Sequence, residues 1–85
     1  MAAETLYARG RYREAAVVLN AAIEQSSMRV PAQQRSTYVE RNALADATIA
    51  ECTGALLQDP GNANARKFLD EAYSSKVALL RSLAG

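Results

Sequence analysis

The chain has 85 residues and a formal net charge of +1, which suits one small domain, below the roughly 100–150 residues of a typical one. It contains no histidine and one cysteine, Cys52. This removes the commonest general base, the commonest zinc ligand, any internal disulfide framework and any multi-cysteine metal cluster. Ten Lys+Arg against nine Asp+Glu leave no basic face of the kind nucleic acid selects, and no apolar run nears the ~20 residues that span a bilayer.

Eighteen alanines stand against nine leucines, five valines and two isoleucines, so helix formers dominate strand formers and an all-α chain is expected. The start, with Glu4 before any apolar stretch, lacks the pattern of a signal peptide. In chain order, Gly10 suits the left-handed end of a first helix. Pro31 disfavours helix at Val30 and opens a new helix. Gln58-Asp59-Pro60-Gly61-Asn62 is the strongest turn signal. Four helices follow, over about 2–9, 12–27, 31–58 and 62–83, as one helical domain or a piece of a longer chain.

Apolar residues recur at helical spacing in each segment. In the second they are Tyr12, Ala15, Ala16, Leu19, Ala22 and Ile23; in the third Val39, Asn42, Ala45, Ile49, Cys52 and Leu56 keep the same period. In the fourth they are Ala65, Phe68, Leu69, Ala72, Tyr73, Val77, Leu80 and Leu83. Between Pro31 and Asp59 only Gly54 is a breaker, so the third helix is expected unbroken and paired with the fourth in a long antiparallel hairpin. Its small residues Ala43, Ala47, Ala50, Gly54 and Ala55 would let the two backbones approach closely. Phe68 is expected in the seam. The second helix, about 24 Å long at the usual rise, is expected to cover only the open end, leaving Ile49, Leu56, Ala65 and Phe68 bare at the turn.

Gly10-Arg11-Tyr12-Arg13-Glu14-Ala15, followed by Leu19 and Ala22, resembles the turn and second helix of a tetratricopeptide repeat. Ala55, Asp59-Pro60-Gly61-Asn62-Ala63, Leu69 and Tyr73 resemble the end of one repeat and the first helix of the next. The middle unit departs from that pattern: no glycine stands near Ala43, and Thr48 holds the place of the small docking alanine. The resemblance thus implies a degenerate unit with two helices fused. Residues 6–83 also resemble a second family, through Gly10 to Ala16, Ala47-x-Ile49-Ala50-Glu51, Ala55 to Ala63 and Ala72-Tyr73-x-x-Lys76-Val77-x-Leu79-Leu80-Arg81. This is the extracytoplasmic region of bacterial zinc-finger anti-sigma factors. That likeness implies a sensing or scaffolding part in the periplasm or outside the cytoplasm; without it a cytoplasmic site is expected.

Catalytic constellations are scarce. Cys52 lies on an apolar stripe with no histidine to activate it and reads as buried packing. Ser74, Ser75 and Lys76 are sequence neighbours, which point in different directions on a helix, and they read as solvated surface. Asp46, Glu51, Asp70 and Glu71 read as exposed acids, with Arg66–Asp70 and Lys67–Glu71 spaced for i,i+4 pairing. A hairpin of this size is expected to leave no substrate cleft of several hundred Å³. Tyr7, Arg9, Arg11 and Arg13, with Tyr12 between them, are the best candidates for a small recognition patch, since arginine and tyrosine favour interfaces, although a solvated turn with the tyrosines in the core is the expected reading. The expectation is a non-enzymatic helical protein–protein interaction or scaffold module without a cofactor. Its partner is a protein, with a homodimer formed through Ile49, Leu56 and Phe68 at the turn end. The alternative is the sensing region of a transmembrane anti-sigma regulator.

Overall fold

A computed structural model describes residues 2–84. They form four α-helices, α1 (Ala2–Ala8), α2 (Tyr12–Ser27), α3 (Ala32–Gln58) and α4 (Ala63–Ala84), and no strand occurs among the described residues. Each boundary lies within one residue of its expected place. The protein is all-α, and α3 runs unbroken through 40–46.

Local chemistry sets the ends. Gly10 has φ +79, and its N–H reaches the Tyr7 carbonyl at 3.0 Å while Arg11 N–H reaches that of Leu6 at 2.9 Å. This pair of bonds is the Schellman ending, which needs a left-handed residue. At the next corner the Arg35 guanidinium donates to the carbonyls of Ser27 (3.1 Å) and Val30 (2.9 Å), satisfying oxygens freed at the end of α2. At the last, Asp59 Oδ1 accepts the Gly61 N–H at 3.1 Å, and Asn62 Oδ1 accepts the Ala65 N–H at 3.0 Å as the N-cap of α4.

Helices α3 and α4 pair antiparallel. Tyr38, Asn42, Ala45, Ile49, Cys52 and Leu56 on α3 and Ala65, Leu69, Ala72, Lys76, Leu79 and Leu83 on α4 alternate steps of four and three, the spacing of a coiled-coil seam. Every one of the twelve is buried or half-buried. Val39 and Phe68 sit one residue off these rows, turned about 100° away, and are 56% and 51% exposed. The expected seam was therefore misplaced at both positions. The small residues Ala43, Ala47 and Ala50 also face solvent; close approach falls to Ala45, Ala65 and Ala72.

Helix α2 packs on both members of the hairpin, and α1 packs on α2. Ala16 joins Ile49, Cys52, Ala65, Leu69 and Ala72 in one core cluster, with Tyr12 and Leu56 against it. A second cluster holds Ala3, Ala15, Leu19 and Tyr73, with Leu6, Val77 and Leu80 packed around it. Leu19 and Leu69 are wholly buried, each side chain contributing roughly 1.5–3 kcal/mol by leaving water. On the α2 side the turn end is thus covered, contrary to expectation, and of the four residues expected bare there Phe68 alone is exposed. The corner sets Ser27 beside Arg35, a turn along α3, and from there α2 climbs until Tyr12 meets the Leu56 region. The molecule is a slab with Cα extents of 42 × 23 × 15 Å.

Candidate interaction surface

The first cluster of interest lies where the α1–α2 corner meets α4. The Tyr7 ring stacks on Tyr73 at 4.0 Å between centroids and meets Tyr12 edge-on at 5.0 Å. Its hydroxyl donates to Asp70. Arg66 pairs with Asp70 at 3.3 Å, donates to the Tyr12 hydroxyl and places its guanidinium 5.8 Å and 5.3 Å from the Tyr7 and Tyr12 ring centroids. Burial pushes the Tyr7 phenol well above its ordinary range, and the Asp70 carboxylate adds to that. Burial raises Tyr73 too, with Glu4 contributing; its buried hydroxyl has no partner among the described residues.

These rings pack against the core, as the reading of a solvated turn expects, and leave only the arginines outward. Arg9 and Arg13 are exposed, and Arg11 is paired with Glu14 on its own helix at 2.6 Å. Ile49 is buried and Leu56 half-buried under α2, so neither offers a surface. Phe68 lies apart from all of them, on the other face of the hairpin. The seven candidate residues do not converge.

A second cluster was invisible as a site in the sequence. Lys76 is 0% exposed. Its ammonium donates to Asp46 Oδ1 at 2.6 Å, to Asn42 Oδ1 at 2.6 Å and to Asn20 Oδ1. Asn42 Nδ2 donates to Asn20 Oδ1 at 3.1 Å, and Asn20 Nδ2 to Asp46 Oδ2 at 3.2 Å. Lys76 is therefore not the solvated group expected, and Asp46, its side chain 37% exposed, is only partly so. The signal was present: Asn20 follows Ala16 by four, Asn42 precedes Ala45 by three, and Lys76 occupies a seam position between Ala72 and Leu79. Three polar residues on three apolar stripes, with an acid beside them, can satisfy one another at a common level. Three ammonium hydrogens meet three oxygens, so the cluster holds helices together and Lys76 has no hydrogen free for a substrate.

Above Lys76, on the face away from α2, an open groove of about 570 Å³ runs between α3 and α4, where no cleft of that size was expected. Small side chains (Ala45, Ala72 and Ala78) floor it, while Leu44 and Phe68 stand at its rims. Leu44 is 71% exposed. Arg41 on α3 and Glu71 on α4 line its two ends. Of the expected helix pairs Arg66–Asp70 forms; Glu71 and Arg41 have no ion-pair partner among the described residues. Cys52 is buried on the inner side, and burial, with Glu51 second, raises its thiol pKa, which makes it a poor nucleophile. Among the described residues no helix is long and apolar enough to cross a membrane. In comparison with known proteins, the chain matches no family model, no curated protein and no solved structure.

Proposed function

We propose that the protein is a non-enzymatic helical interaction module whose docking face is the outer side of the α3–α4 hairpin. The observation that carries this reading is the pair Leu44 and Phe68, large apolar side chains exposed on both rims of one groove. A polypeptide helix or strap fits such a trough by setting apolar side chains between the ridges. Two further features support the reading. The charged groups of the two clusters are taken up within the chain: buried Lys76 by three oxygens, exposed Asp70 by Tyr7 and Arg66. The tetratricopeptide resemblance of the sequence also supports it, since stacked helix pairs of that kind bind other polypeptides.

Photocrosslinking tests it. A benzophenone amino acid placed at Leu44 in living cells is expected to give adducts with a polypeptide, while the same group at Glu24, exposed on α2, gives none. Equal adduct yields at both positions, or none at Leu44, would overturn the reading.

A further inference from the structure

The groove has a size, a shape and a charge pattern, and together they point to one occupant. A folded monomer of 9.1 kDa exposes about 4,900 Å² by the scaling of surface with mass. This chain exposes 5584 Å². The excess, about 700 Å², is close to the roughly 800 Å² that each partner contributes to a stable interface of ordinary size. The slab shape accounts for a larger surface, and one broad face of it is open: α1 and α2 cover one face of the hairpin, and no described element covers the other.

Charge then distinguishes between occupants. Arg41 sits on α3 toward the open end of the groove, and Glu71 on α4 toward the turn. They are opposite in sign, on opposite rims and at opposite ends, and neither is paired among the described residues. A two-fold axis lying in the face, midway between them and at right angles to the line joining them, exchanges their positions. A second copy placed by that axis sets its Glu71 over Arg41 and its Arg41 over Glu71. Leu44, one turn from Arg41 toward the middle of the groove, lies beside the axis, where it meets the alanine floor of the other copy. A self-complementary patch of this kind is what an isologous contact requires.

Building on the docking face proposed above, we infer that its occupant is a second copy of this chain, in a two-fold dimer with Leu44 at its centre and two Arg41–Glu71 pairs at its ends. This replaces the turn-end contact expected from the sequence: α2 covers Ile49 and Leu56, and Phe68 alone of those residues stays on the exposed face. Sedimentation equilibrium on the full chain, at micromolar to submillimolar concentration, is expected to give twice 9.1 kDa. Leu44→Asp, at an exposed position, is expected to give the monomer with unchanged helical circular dichroism. Arg41→Glu and Glu71→Arg should each weaken the dimer about tenfold, because each creates two like-charge contacts by symmetry. An equimolar mixture of those two variants should associate more tightly than either alone, and the double variant should regain the original affinity. A wild-type monomer throughout that range, or a dimer indifferent to both Leu44→Asp and the charge reversals, overturns the proposal. The crosslinking separates it from the broader reading: adducts at Leu44 to a different polypeptide overturn the second copy and leave the docking face standing, whereas no adduct overturns both.

Discussion

At position 76 an ammonium group with three hydrogens meets three oxygens from two other helices. Taking such a charge out of water is costly, and the attraction of its partners offsets this only while all of them remain. The two ends of the Lys76–Asp46 pair differ in exposure, 0% for the lysine side chain and 37% for the aspartate, and this makes the mutational response asymmetric. Asp46→Ala strands a buried cation and is expected to cost about 2–3 kcal/mol, below the full value for a buried pair because water reaches the aspartate side. Lys76→Met removes the buried charge, keeps the length of the chain and lets Asp46 rehydrate, so it is expected to cost less. Urea unfolding of the two variants gives the order, and a cheaper Asp46→Ala would mean the ammonium finds other solvation. The phenols of Tyr7 and Tyr73 supply a pH dependence. Both are raised in the folded protein, so the native state keeps protons that the unfolded chain releases near pH 10. Stability is whole below that pH and falls as it rises further; Tyr7→Phe should flatten the decline measured by thermal unfolding.

At the scale of the helix, α3 shows how far periodicity carries a sequence argument. Its start at a proline, its end at Asp-Pro-Gly and its continuity all follow from the residues, and each is found. What the apolar pattern did not resolve was which of two adjacent rows faces α4. Val39 and Phe68 are large and apolar, and they drew the expected seam one residue sideways. On α4 the true row passes through Lys76, a residue that hydropathy alone sends to the surface, while Asn42 holds its expected place on α3. The docking groove was hidden for the same reason: its rims, Leu44 and Phe68, had been assigned to no face or to the wrong one. Two substitutions probe the helix directly. Ala43→Pro, in mid-helix, is expected to cost about 3 kcal/mol or more by breaking the hydrogen-bond ladder. Gly54→Ala should stabilise by about 0.5–1 kcal/mol, since an added methyl meets nothing within 4 Å. Chemical denaturation checks both, and a destabilised Gly54→Ala would mean that space is filled.

Across the whole molecule, two layers of helix leave little interior, and the wholly buried large side chains are Lys76, Leu19 and Leu69. Leu69 and Lys76 stand two turns apart on one row of α4, and Leu19 locks α2 and α1 over it. No loop or terminus lies next to Lys76; its partners come from the middles of α2 and α3. Its amine therefore reaches solvent only when α2, α3 and α4 separate together. The chain has one other lysine, Lys67, on the exposed face of α4. An acylating reagent that attacks free amines should modify Lys67 at once and Lys76 only through the opened state. Where reclosing outpaces acylation, mass spectrometry of the two peptides over time reads the opening free energy of the native protein without denaturant, with Lys67 as the internal clock. If Lys76 were acylated nearly as fast as Lys67, the three helices would be parting locally. If it waits, one side chain reports on the cooperativity of the entire fold.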